Sequence, residues 1–251
     1  MKILLANDDG IGSPGLRAMH RALSANGHEV AAIAPLGQQS GVSRSITVFD
    51  PLRCVEIHDC DFHGIGVSGR PADCVKLALG ELLPWKPDLV ISGINNGPNT
   101  GVEIFYSGTI GAASEACHTG IPVLALSHAG QNGCGEWDNV ARHAASLADR
   151  IEWHEIPRRR VISVNYPNMP VAEAKGIKIC PLTDVIWNNS FNKGVDPFGE
   201  SWWWINGSIN TRDIRPDSDK ALLMEGYITI TPLHFDLCDS ASISVLENMN
   251  L

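Results

Sequence analysis

The chain is 251 residues long, 44% hydrophobic and 19% charged, with a formal net charge of −9. That length buries a core large enough for one sizeable soluble domain, and an acidic balance with no extended basic block excludes a surface built to coat nucleic acid. A small anionic substrate is not excluded, because a bound metal ion supplies local positive charge.

No apolar run approaches the ~20 residues of a membrane span. The N-terminus offers one Lys and a short apolar stretch, less than a signal-peptide core requires. Seven cysteines (54, 60, 74, 117, 134, 180 and 238) form no CxxC pair, which argues against a zinc framework and a thioredoxin-type motif. Most are expected to be small core residues in a reducing compartment. A cytoplasmic protein with no membrane partner is the expectation.

In chain order, Ile3–Ala6 reads as a buried strand, and Gly15–Asn26 carries helical spacing at Leu16, Met19 and Leu23. Val30–Ala34 is a second strand, stopped by Pro35. Ala72–Leu83 reads as a helix with Pro71 favourably placed at its start. Leu89–Ser92 is a strand, Thr109–His118 a helix and Val123–Leu126 a strand. Asp138–Ile151 continues as a helix and Val161–Val164 as a strand. This β-α-β rhythm predicts a mainly parallel sheet with helices on both faces. From Asp184 to Ser208 the texture changes to Trp, Asn, Gly and Ser without helical period, which predicts a protruding hairpin or arm. Tyr227–Thr231 closes the series as a strand before Pro232.

Four strand-end loops are dense in Asp, Asn, Ser and Gly: NDDG at 7–10, QQSGVSRSIT at 38–47, SGINNGPNTG at 92–101 and YSGTIG at 106–111. In a doubly wound sheet such loops converge on one crevice. Asp8 and Asp9 stand side by side there without a cationic neighbour in sequence. With a Ser hydroxyl and an Asn carbonyl from other loops they form an all-oxygen set, the kind that Mg²⁺ or Mn²⁺ prefers. The alternative role for either Asp is to cap the next helix. Ser107, Gly108 and Thr109 lead into a helix through small residues, which suits an anion at a helix N-terminus. Here too a plain cap is the alternative.

Weaker candidates are His234, at the end of a strand, and Trp202, Trp203 and Trp204, which suit an arm or subunit interface better than base stacking. Asp73, just after Pro71, suits a helix cap.

NDDGIGSPG, the Ser40–Thr47 segment, GRPADCVKLAL, PDLVISGINNGPNTG and YSGTIGAASEA resemble the signature blocks of the survival protein SurE family. NYP, DPFGESWWWI and GYITITPL are similar to its later blocks. The resemblance implies a metal-dependent phosphomonoesterase acting on nucleoside 5′-monophosphates, with 3′-monophosphates and short polyphosphate as further substrates. It assigns one divalent ion per subunit to Asp8, Asp9, Ser40 and Asn95, with catalytic roles for Asp8 and Asp9. Asn96, Ser107, Gly108 and Thr109 are then expected at the phosphate. It also implies a three-layer α/β/α sandwich with a Rossmann-like sheet. Residues 1–180 would form the catalytic domain. Residues 181–251 would form an arm and closing strand exchanged within a homodimer or homotetramer. Arg70 stands where the family usually has Thr, and is read as a surface change, with a phosphate or subunit contact as the other reading. Adjacent aspartates, rather than the DxD of aspartyl-phosphate enzymes, favour direct attack by metal-activated water. A non-catalytic nucleotide- or metal-sensing module is the rival function.

Overall fold

The computed structural model describes residues 1–130 and 136–249. In chain order its elements are β1 (Lys2–Ala6), α1 (Pro14–Ala25), β2 (Glu29–Pro35), β3 (Cys54–Asp59), β4 (Phe62–Val67) and α2 (Pro71–Leu77). They continue as β5 (Leu89–Asn96), α3 (Gly108–His118), β6 (Val123–His128), α4 (Trp137–Arg150), β7 (Arg160–Tyr166) and β8 (Ile177–Ile179). The chain closes with β9 (Asn188–Val195), β10 (Ser201–Ser208), α5 (Asp219–Met224), β11 (Ile228–His234) and α6 (Ser240–Glu247).

Nine strands form one sheet in the order β3-β4-β2-β1-β5-β6-β7-β11-β8. From β4 to β7 every pairing is parallel, whereas β3 and β11 run antiparallel to β4 and β7. Side chains of β1 alternate between two cores. Ile3 and Leu5 join Leu16, Met19 and Val140 of α1 and α4. Leu4 and Ala6 join Val75, Ile110 and Ala113 of α2 and α3. The continuous apolar run of β1 is thus what a strand covered by helices on both faces requires. The result is the expected three-layer α/β/α sandwich.

The hairpin β3–β4 was not anticipated. Its outer strand is exposed at nearly every position, and Gly64 and Gly66 break the apolar alternation of its inner one. The helix expected over Ala72–Leu83 is α-helical only to Leu77 and finishes as a π-type turn, Ala78–Leu82, that contains Gly80. Strand β11 runs through Pro232 to His234 rather than stopping before the proline. Its partner β8 pairs only Ile228–Ile230, so the missing N–H of Pro232 falls on an open edge. The predicted hairpin is present: β9 and β10 pair antiparallel as a separate two-stranded sheet. Among the described cysteines, Cys74, Cys117 and Cys180 are buried while Cys54, Cys60 and Cys238 are exposed. Half, not most, are core residues; Cys134 lies outside the described residues.

A candidate metal and phosphate site at the switch point

Strands β1 and β5 are neighbours, yet the chain leaves β1 toward β2 on one side and β5 toward β6 on the other. That divergence opens a crevice at the carboxyl ends of the strands. Asp8 and Asp9 follow β1, and Asn95 and Asn96 end β5, so the topology itself brings the two sequence-predicted pairs together.

The turn after β1 is built by Asn7, which is buried. Its side-chain amide donates to Ser13 Oγ at 2.6 Å and to the Gly10 carbonyl at 3.1 Å, and its Oδ1 accepts from Gly10 N at 3.2 Å. Ser13 then caps α1 by accepting from Leu16 N. The capping role is therefore filled by Ser13, and neither Asp8 nor Asp9 takes it.

Asp8 is 3% exposed. Burial pushes its carboxyl up to about 6, the neighbouring Asp9 charge adds to the rise, and the Thr109 hydroxyl, which donates to Oδ1, opposes it. Burial also raises Asp9, against a bond from Asn96 N to Oδ2 at 2.9 Å. Among the described residues no cationic side chain pairs with either carboxylate. Two neighbouring carboxylates, both raised and without a cationic partner among the described residues, are held against desolvation and, at Asp8, against repulsion, a deficit that a hard dication reverses.

The other donors arrive on tethered loops. Gln39 N donates to the Asp8 carbonyl at 2.7 Å, which fixes the loop one residue before Ser40. Ser40 is exposed and its Oγ accepts from Gln38 at 2.9 Å. Further along, Ser43 N bonds Tyr106 O at 2.9 Å, and the Asp73 carboxylate accepts from Thr47 N at 3.0 Å and from Arg70 N at 2.8 Å. Asp73 thus caps α2, as its position predicts, and also holds this loop. Asn95 uses its Nδ2 on the Gly97 carbonyl at 2.8 Å, which leaves its Oδ1 as an acceptor.

The third loop brings the N-terminus of α3 against Asp8. A side chain at Gly108 would place Cβ 2.7 Å from Asp8 Cβ and 2.8 Å from its Oδ2, so only glycine lets the helix end approach this closely. Ser107 caps the helix by accepting from Ile110 N at 3.1 Å. Thr109 is fully buried, with its hydroxyl spent on Asp8 rather than left open. Beside Asp9 and Asn96 lies a cavity of about 560 Å³ that extends to Ser13, Gln38 and Trp137.

Several anchoring residues were not legible as such. The Asn165 side chain accepts from Asn99 N at 2.8 Å and donates to the Asn99 carbonyl at 3.1 Å, and the Asn99 side-chain amide donates to Ser127 Oγ at 2.8 Å, which pins the 92–101 loop across β6 and β7. Buried Asp219 accepts from Gly101 N and Thr183 N. The weaker candidates lie elsewhere. His234 pairs in register with Arg160, at the amino end of β7, and so sits at the opposite sheet edge from Asp8. Trp202, Trp203 and Trp204 are on the hairpin. Arg70 is exposed, as the surface reading expects, and its guanidinium donates to Gln39 Oε1 at 3.1 Å beside Ser40. A further cluster of donor side chains, Glu56, His58 and His63, is exposed on β3–β4 and has no part in the crevice.

A doubly wound α/β/α sandwich whose switch point holds paired, uncompensated carboxylates beside a helix N-terminus is the class that fold and site define. Within it, the chain belongs to the survival protein SurE family, whose description matches residues 3–189. It is 50% identical to the 5′-nucleotidase SurE of Desulfovibrio desulfuricans, with 100% of this chain and 99% of that protein covered. It is 47% identical to the 5′-nucleotidase SurE of Nitratidesulfovibrio vulgaris, with 99% of each covered. The crystal structure of the SurE protein from Aquifex aeolicus superposes with a TM-score of 0.84 at 36% identity, over 99% of this chain and 100% of that one.

Proposed function

We propose that this protein is a metal-dependent 5′-nucleotidase that hydrolyses nucleoside 5′-monophosphates to nucleoside and phosphate, with 3′-monophosphates and short polyphosphate as further substrates. One observation carries the reading: buried Asp8 and half-buried Asp9 stand at the switch point beside the N-terminus of α3, with no cationic partner among the described residues. The relatives that match along their whole length are named as enzymes, and the rival sensing module finds no support among them.

The donors fit a hard dication, Mg²⁺ or Mn²⁺, one per subunit. Asp8, Asp9, Ser40 and the free Oδ1 of Asn95 would hold it, all through oxygen. When bound, such an ion polarises a phosphoryl oxygen and makes water more acidic. The chain's own groups do the rest. The N–H of Gly108 at the start of α3, with Ser107, would meet the phosphoryl oxygens over which charge spreads, and the backbone N–H of Thr109, like its hydroxyl, is given to Asp8. Asn96 adds a donor from the facing strand end. The Thr109 hydroxyl holds Asp8 in one orientation. Asp9 is fixed through Oδ2 by Asn96 N, which leaves Oδ1 to orient an attacking water and accept its proton.

In the same reading, residues 1–180 carry the catalysis and the segment 181–251 is an arm with a closing strand, exchanged within a homodimer or homotetramer. Its support is the hairpin's uncovered apolar surface, with Trp204 72% and Phe198 91% exposed. No helix among the described residues is long and apolar enough to cross a membrane. A cytoplasmic location is supported by exposed thiols left unpaired at Cys54, Cys60 and Cys238.

Phosphate release from AMP, measured with Mn²⁺ and again with excess chelator, tests the proposal. Release that stops on chelation and returns with added metal is expected. A folded, metal-loaded protein that liberates no phosphate from AMP would overturn it.

A further inference from the structure

One wall of the cavity beside Asp9 is not used by the phosphate chemistry. That wall is Trp137, the first residue of α4, with Pro14 and Leu36 adding apolar surface and Ser13 and Gln38 adding hydrogen-bonding groups. The indole is half-buried and packs against the core shared by α1 and α4. His128, 1% exposed at the end of β6, meets it edge to face, with centroids 5.6 Å apart and planes at 66°. Burial keeps the His128 imidazole below its ordinary pKa, so at neutral pH an uncharged ring supports the indole. On the α1 side, a Cβ at Gly15 would come within 3.2 Å of Trp137 Cζ3, so the absence of a side chain there leaves room for the indole. The ring is therefore fixed by its neighbours, while part of its surface stays open to the cavity.

We propose that Trp137 is a nucleobase platform: the base of a nucleoside monophosphate stacks on the open face of the indole while its phosphate lies by Asn96 and the start of α3. The proposal rests on the nucleotidase reading and deepens it by naming a specificity residue. A volume of about 560 Å³ falls in the range of small-molecule sites. Among the described residues that line it there is no Lys, Arg or His, so the far end of the occupant is uncharged. A flat, neutral π-system meets that requirement. Because every base offers a π-face, stacking tolerates base identity. The site should accept purines and pyrimidines alike and turn away phosphomonoesters that lack a base.

The test is steady-state kinetics of the metal-loaded full chain on AMP and on ribose 5-phosphate, which keeps the sugar and phosphate but has no base. Wild type should favour AMP by about tenfold or more in kcat/KM, the scale of one aromatic stack. Trp137→Leu, which keeps apolar bulk against the core, should raise KM for AMP about tenfold and leave ribose 5-phosphate within about twofold. Trp137→Phe should recover most of the AMP preference. Equal loss on both substrates, or loss on neither, would overturn the platform. So would a wild type that treats AMP and ribose 5-phosphate alike, a result that needs no variant to fold. If wild type cleaves neither substrate, the nucleotidase reading itself falls and takes the platform with it. AMP turnover that is indifferent to residue 137 removes the platform alone.

Discussion

The hydroxyl of Thr109 donates to the carboxylate of Asp8 across 101 positions of sequence, and so joins the first strand-end loop to the first turn of α3. The bond is made to a buried charge, where hydrogen bonds contribute about 1.5–3 kcal/mol. Thr109→Val keeps the shape and removes the donor. Asp8 should then bind its proton more tightly and the metal more weakly. We expect the Mn²⁺ concentration for half-maximal AMP hydrolysis to rise about tenfold to a hundredfold near pH 7. Thr109→Ser should stay close to wild type. An unchanged metal requirement in the Val variant would show that Asp8 does not depend on this contact.

The raised carboxyl of Asp8 also makes a statement about stability. Its ordinary value is 3.8 and its value in the fold is about 6, so between those pH values the folded protein holds the proton that the unfolded chain has released. Stability of the metal-free protein should therefore fall as pH rises from about 4 to about 6, then level off. Asp9, raised by burial as well, acts in the same direction. Asp8→Asn removes that slope and still offers Thr109 an acceptor. At pH 7.5 the metal-free variant should be more stable than metal-free wild type by roughly 1–3 kcal/mol, and the gap should shrink at pH 5. Paired melting curves at the two pH values check this. A gap that is absent, or that widens toward pH 5, contradicts the assigned burial cost. AMP hydrolysis by Asp8→Asn should drop by several orders of magnitude.

Gly108 has a contact that can be tested separately. Any Cβ there lands within 2.7–2.8 Å of atoms of Asp8, and neither the helix backbone nor a buried carboxylate moves cheaply. Gly108→Ala should cost about a hundredfold or more in kcat/KM for AMP, since misplacement by about 1 Å is known to cost that much. The general helix preference for alanine, by about 1 kcal/mol, works toward a stable fold. Circular dichroism and melting should show a folded protein with little activity. Near-normal turnover would mean that the crevice is looser than this contact indicates.

How much of this was readable from sequence depends on where each partner lies. Strands β1 and β5 stand out because both faces are covered and each holds a short continuous apolar run, Ile3–Ala6 and Leu89–Ile91. The loops after them stand out because polar residues cluster where the apolar runs stop. Hairpin β3–β4 does not, since an exposed edge strand such as Cys54–Asp59 needs no apolar face. The anchors of the site were hidden for another reason. Asn99 meets Asn165 at a separation of 66 residues and Asp219 meets Gly101 at 118, and no local pattern encodes such pairs. The cap of the helix after Asp8 and Asp9 falls to Ser13, which lies four residues beyond Asp9. At Ser107 the cap is present too, so its hydroxyl serves the helix before any ligand.

The hairpin supplies the last prediction. In β10, Trp203 and Trp204 are 59% and 72% exposed, and Ile205 and Phe191, which pair across the two strands, are 77% and 59% exposed. A two-stranded ribbon with so much apolar surface in water is marginal by itself, and the area calls for a cover. If a second copy of the chain provides it, Trp203→Ser with Trp204→Ser should weaken subunit association by about tenfold or more, because buried aromatics dominate interface energies. Sedimentation of wild type and the double variant across a range of concentrations measures this. The crevice after β1 and β5 is formed by the main sheet, so metal-dependent AMP turnover per subunit should fall less than association does. Turnover that disappears together with assembly would instead show that the partner's arm completes the site. A double variant that associates as tightly as wild type would remove the hairpin from the interface.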